Sequence, residues 1–245
     1  MGLTWEEPDW EQLSPSVARR RLPIWDCTVG LVAGDRAALV IDAGSTLREG
    51  AEVRAQAQRL LGGERRVTHL ALTHPHFDHV LGAAAFAGVE VYGAVGLDAV
   101  FARGRDDLLA DAVRHGADRP AVAEAVDLLV HPHHLVCAEW TLDLGGVRVL
   151  LANVGPGHTG HDLVVLVQGA GSAAPEIVFC GDLVEESGPP QAGRDAMPTQ
   201  WPHALDRLLE LGGEDAAYVP GHGSVVDAAF VHAQREELAA RFGVS

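Results

Sequence analysis

From Val17 to Ile41 the apolar positions come in short runs separated by turn-formers, Pro23 and the pair Gly34–Asp35. That pattern predicts strands, the last of them within the run Ala37–Gly44. The period turns helical over Ser45–Leu61, where Val53, Ala57, Leu60 and Leu61 share a face, Ser45 serves as N-cap and Gly62–Gly63 ends the helix. A buried strand, Val67–Thr73, then delivers the chain straight into His74-Pro75-His76-Phe77-Asp78-His79. Short αβ pieces follow to Phe101. Asp106–Val130 reads as two helices about Gly116 and Pro120, with Leu108, Leu109, Val113, Val122, Val126 and Leu129 as their apolar positions. Strand patterns return from Trp140 to Ile177, and the tail alternates helix (Trp201–Leu211), strand (Ala216–Val219) and helix (Asp227–Phe242). Residues 1–15, with Trp5 and Trp10, read as an irregular arm.

One pattern occurs twice. Leu60-Leu61-Gly62-Gly63-Glu64 precedes a strand and then His74, and Leu211-Gly212-Gly213-Glu214 precedes a strand and then His222. Two similar halves meeting at a shared site would produce this echo, although Gly-Gly helix ends are common.

Composition bounds the rest. With 245 residues, 47% of them hydrophobic, the chain can bury a core of its own, and one domain over 1–245 with a helical insertion at 104–130 is the default. Acidic residues outnumber basic ones by 34 to 18 and the formal charge is −16; every basic residue is Arg. Such a surface disfavours nucleic acid, which is bound mainly through cations on phosphate. The run Arg19-Arg20-Arg21 is the one local exception and is expected to be an exposed strand edge. Three cysteines, Cys27, Cys137 and Cys180, make no disulfide framework. With neither a secretory pattern at the acidic start nor an apolar run of membrane length, a cytoplasmic protein without membrane contact is expected.

The candidate chemistry lies at strand ends. His74, His76, Asp78 and His79 crowd one turn. His158 stands in Gly-Pro-Gly-His-Thr, Asp182 in Cys-Gly-Asp-Leu and His222 in Pro-Gly-His-Gly, each after an apolar run and beside glycines that permit sharp turns. Imidazole nitrogen and carboxylate oxygen together suit zinc. Asp162 is placed to brace the His158 loop. The other histidines read differently: His69 within a strand, His115 and His203 on the surface, His131, His133 and His134 in a solvated loop, and His161 beside the ligands without being one. Cys180, two positions before Asp182, is assigned to the core on the same strand face.

His-x-His-x-Asp-His followed by Pro-Gly-His-Thr, Gly-Asp and Pro-Gly-His-Gly resembles the metallo-β-lactamase superfamily, from about Ser16 to about Val226. The resemblance implies an α/β fold, a four-layer αβ/βα sandwich of two mixed sheets with helices on the outer faces. It implies two Zn²⁺ per chain, with iron or manganese as alternatives. His74, His76 and His158 would hold the first ion, Asp78, His79 and His222 the second, and Asp182 would bridge them. Asp42, in Ile41-Asp42-Ala43-Gly44, would support the metal loop without binding metal. A hydroxide between the ions would be the nucleophile, oriented by Asp78, which would later carry a proton to the leaving group. Possession of both His79 and Asp182 resembles glyoxalase-II-like and lactonase-like members.

Hydrolysis of a small ester, thioester, lactone or lactam is therefore the expected activity. Phosphodiester or nucleic-acid cleavage uses the same ligands but is opposed by the charge, and a mononuclear-iron sulfur dioxygenase shares overlapping motifs. Flavo-diiron chemistry is disfavoured because a Glu is expected where His76 stands. A purely binding role is the weakest reading, since the ligand set is complete. No substrate-binding residue is legible.

Overall fold

The computed structural model describes residues 9–63, 65–168 and 175–244. Trp5, the first eight residues of the expected arm, and Glu64 of the echo lie outside the described residues.

The first sheet has the spatial order β1 (Glu11–Ser14), β2 (Val17–Arg21), β3 (Thr28–Ala33), β4 (Ala38–Ile41), β5 (Val67–Ala71), β6 (Glu90–Ala94) and β7 (His134–Val136). Strands β1 to β4 are antiparallel neighbours, and from β4 onward the pairing is parallel. Parallel neighbours need crossovers. They are supplied by α1 (Leu47–Leu60), by α2 (Phe77–Val80) with a 3-10 turn at Ala83–Phe86, and by α3 (Leu97–Arg103), α4 (Arg105–Arg114) and α5 (Arg119–Asp127).

The second sheet contains β8 (Glu139–Asp143), β9 (Arg148–Ala152), β10 (Val164–Val167), β11 (Ile177–Glu185) and β12 (Ala217–His222). Strands β8 to β11 form an antiparallel meander, and β12 returns parallel to β11 after α6 (Trp201–Gly212). Helix α7 (Ala228–Phe242) packs on α6.

Three apolar layers hold these elements together. Between the sheets, Val32, Leu39 and Ile41 meet Leu151, Val165 and Phe179. Outside the first sheet, Val29, Leu31 and Leu70 pack with Val53, Leu60 and Phe101 of the helices. Outside the second, Val164 and Val178 pack with Trp201, Leu205 and Leu238. The alternation of each strand divides its side chains between an inner and an outer layer. The result is a four-layer αβ/βα sandwich with two mixed sheets.

Several local expectations change. The arm contains β1, paired to β2, so β2 is not an edge strand. Arg19 and Arg20 are buried instead of exposed, with partners the run itself does not show: Arg19 donates to Glu11 on the neighbouring strand and to the Gly223 carbonyl, and Arg20 to Gln56. Thr46, not Ser45, caps α1; Ser45 donates both its amide and its hydroxyl to Glu49. His134 lies in β7, not a loop, stacked on Tyr92 and bonded to Glu90. Within 104–130, Leu108, Ala112, Val122, Ala125 and Val126 are all buried against the outer core, so that apolar face is used in packing. Among the described residues no helix is long and apolar enough to cross a membrane.

At Gly30 the two sheets approach closely, since a Cβ there would lie 2.6 Å from Cε1 of Phe179, and 2.9 Å from Cδ1 of Ile41 in the neighbouring strand. Gly30→Ala is expected to lower stability by about 1–3 kcal/mol through overpacking. The urea midpoint measures it, and adding Phe179→Leu should recover part of the loss.

Candidate metal centre

The site forms where β4, β5 and β12 end and where the loop before β10 crosses them; Asp182, expected at a strand end, lies within β11, which runs on to Glu185. Asp42, just past β4, adopts φ 58°, a left-handed conformation that costs an L-residue roughly 1–2 kcal/mol. Three bonds offset that cost. Its Oδ1 accepts from the Thr73 amide at 2.8 Å, and its Oδ2 accepts from the Thr73 hydroxyl at 2.7 Å and from His79 Nδ1 at 2.8 Å. The same loop is tied to the second sheet by the Leu163 amide, which donates to the Thr73 carbonyl at 2.8 Å. Asp162 braces the next loop, accepting from the Gly157 and Thr159 amides and the Thr159 hydroxyl.

Five imidazoles converge there, and each has one ring nitrogen held from outside. His79 Nδ1 pairs with Asp42, His76 Nε2 with Asp195 at 3.1 Å, His158 Nδ1 with the Gln191 carbonyl at 3.1 Å, and His222 Nδ1 with the Trp25 carbonyl at 2.7 Å. His74 Nδ1 lies 3.0 Å from the Thr73 hydroxyl. A carbonyl or carboxylate partner requires the ring nitrogen to carry the proton, which leaves the inward nitrogen of a neutral ring as a lone pair. Two pairs of inward nitrogens face each other: His76 Nδ1 and His158 Nε2 at 3.0 Å, and the Nε2 atoms of His79 and His222 at 3.4 Å.

Asp182 sits between the pairs. Its carboxylate is 3.6 Å from His74, 3.5 Å from His158, 3.2 Å from His79 and 3.3 Å from His222. Its Oδ1 and the inward Nε2 of His74 are buried and make no hydrogen bond. Facing ring nitrogens and orphaned buried acceptors are costly without a positive charge among them. Three groups of ligand atoms lie close enough to share a metal ion: His74, His76, His158 and Asp182; His79, Asp182 and His222; and Cys27, Asp78 and His79. The first two groups offer nitrogen and oxygen, the third adds a thiol, and all of these donors suit zinc.

The sequence profile of the metallo-beta-lactamase superfamily matches residues 22–222. The chain belongs to this superfamily. A solved structure of VMB-1 at pH 5.5 has a TM-score of 0.69 to this metallo-beta-lactamase fold, covering 95% of this chain and 97% of that one at 16% identity. At that identity the likeness concerns the fold. No curated protein sequence matches.

The structure brings together all seven residues expected as ligands. Asp78 completes the set, its Oδ2 lying 3.4 Å from His222 Nε2 and 3.7 Å from His79 Nε2. His161 stays outside, its Nδ1 donating to the Val95 carbonyl at 2.8 Å. Cys180 is in the core as expected, yet it does not share a face with Asp182. Gly181 adopts φ 53° and breaks the alternation, so Cys180 packs with Val178 outside while Asp182 turns into the site. Gly221 makes room for it, since a Cβ there would fall 1.8 Å from Asp182 Oδ1.

Sequence reading missed four contributors: Asp195, the Gln191 and Trp25 carbonyls, and Cys27, whose buried thiol is 3.6 Å from His79 Nδ1. Carbonyls leave no sequence signal, and Asp195 and Cys27 belong to no motif of the family pattern.

The electrostatics follow from burial and mutual proximity. Burial drives His158 down to about 4, and drives His74 well below the ordinary imidazole range with His79 adding to the effect. Burial also opposes protonation of His222, but Asp182 and Asp78 carry it to about 9. For Asp182 burial favours the neutral acid, and the histidines around it, His79 first, hold it well below the ordinary carboxyl range. Burial lifts Asp162 to about 7 against its hydrogen bonds.

Removing the Asp42 side chain strips acceptors from Thr73 and His79 together. Asp42→Ala is expected to cost roughly 2–4 kcal/mol of stability, since Ala loses the three bonds and keeps the left-handed backbone cost, and to lower metal content. Chemical denaturation and metal analysis of the purified variant provide the check, and an unchanged midpoint would contradict the supporting role.

Proposed function

We propose that this chain is a di-zinc hydrolase of small carbonyl substrates, an ester, thioester, lactone or lactam. The observation that carries the reading is the two pairs of inward-facing imidazole nitrogens on either side of one carboxylate, Asp182. His74, His76 and His158 would hold one ion and Asp78, His79 and His222 the other, with Asp182 common to both. Bound divalent ions supply Lewis-acid polarisation of a substrate oxygen and a water of lowered pKa. Asp78, with its Oδ2 directed at His222 and His79, is placed to hold a proton at that oxygen and to orient the attacking group.

The substrate class is supported by charge. A chain of net charge −16 repels polyanions at long range, whereas a small neutral ester or lactone pays little of that penalty. We further read the protein as one working unit over 1–245, with 104–130 as an insertion, located in the cytoplasm.

Two measurements test this. The zinc-reconstituted protein should hold about two ions per chain. Asp182→Ala should lose metal and most activity, while His161→Ala and His133→Ala keep both; equal, mild losses in all three would refute the ligand assignment. Catalytic efficiency on an aryl ester or lactone should exceed that on a bis-aryl phosphate and short RNA at both low and moderate salt. Faster phosphodiester turnover under both conditions would overturn the substrate class, and iron content with oxygen-dependent turnover would replace hydrolysis with oxidation.

A further inference from the structure

Of the five groups that hold the outer nitrogens, four are either buried side chains, Asp42 and Thr73, or backbone carbonyls, Gln191 and Trp25. The fifth, Asp195, is a side chain 48% exposed, on a segment with no regular structure between β11 and α6. Its partner His76 is also the least enclosed of the imidazoles, 24% exposed against 11% or less for the other four. Packing therefore fixes the other four rings, while His76 depends most on its hydrogen bond.

We propose that Asp195 is a positioning residue: its carboxylate fixes the tautomer and orientation of His76 and thereby sets the affinity of the first metal position. The proposal rests on the di-metal reading above. Asp195 Oδ2 accepts from His76 Nε2 at 3.1 Å, so the proton stays on that nitrogen and Nδ1 keeps its lone pair toward His158. A carboxylate in that place also makes the imidazole a better donor to a cation.

The segment around Asp195 is pinned at several points. Arg241 of α7 donates to the Pro190 carbonyl at 2.8 Å, the Gln191 carbonyl takes His158, and the Met197 amide donates to the Gly157 carbonyl at 2.9 Å. Two of the three histidines at the first position, His76 and His158, are thus held by this one stretch of chain. None of the second position's histidines is, since Asp42 and Trp25 hold those. The asymmetry makes the inference specific: disturbing Asp195 should weaken one metal position and spare the other.

The test titrates zinc against a chromogenic chelator in the full-length protein, for the wild type, Asp195→Ala, Asp195→Asn and the neighbouring Arg194→Ala. Asp195→Ala should bind one ion with unchanged affinity and the other roughly 10–100-fold more weakly. Asp195→Asn, whose amide oxygen can still accept from Nε2, should recover much of that loss, and Arg194→Ala should match the wild type. A second readout needs no metal. Long-range ¹H–¹⁵N spectra of the metal-free protein should show His76 protonated on Nε2 in the wild type and as a tautomer mixture in Asp195→Ala, with thermal unfolding confirming that the variant is folded. Wild-type affinity at both positions in folded Asp195→Ala would overturn the proposal, as would an equal loss in Arg194→Ala. A wild type that binds fewer than two ions would instead overturn the di-metal reading beneath it.

Discussion

A carboxylate ringed by imidazoles at the edge of an apolar sandwich is an expensive thing to bury, and much of the local architecture answers that cost. Asp182 lies within 3.6 Å of four ring nitrogens, and inward ring nitrogens face one another across distances as short as 3.0 Å. Hydrophobic packing cannot stabilise such an arrangement. What it can do is hold the strand ends rigidly enough that the groups cannot rotate away from one another, leaving a cation as the means of relief.

The outer partners make the arrangement definite. Asp42, Asp195, two carbonyls and the Thr73 hydroxyl each engage the far nitrogen of a ring, so the near nitrogens point inward together. Asp42 achieves this from a strained backbone, and Asp182 reaches the centre only because Gly181 reverses the strand's alternation and Gly221 offers no Cβ. Local deviations from regular strand geometry thus fall where the polar groups must converge.

The parts of this design legible in sequence are those written as contiguous strings. The ligands occur in short motifs directly after apolar runs, and those motifs carry the family resemblance that implies both the four-layer fold and the convergence of the seven residues. Contributions that depend on distant chain are hidden. Arg19 and Arg20 look like surface residues because Glu11, Gln56 and Gly223, which accept from them, come near only after folding. Asp195 is one acidic residue among 34. The Ser45 reading failed more narrowly: Ser45 and Thr46 are both good caps, and the Glu49 carboxylate, by taking both donors of Ser45, leaves Thr46 to face the helix.

The centre also draws on both sheets. His74, His76, Asp78 and His79 follow a strand of the first, whereas His158, Asp182 and His222 belong to the second or its loops. A cation bound among them would close the large chain loops between these segments and would be absent from the unfolded chain, so its binding energy would add to folding. Metal supply would then govern how long the protein survives as well as whether it works: a cell starved of the ion would hold a sandwich whose halves part more readily and meet proteases sooner.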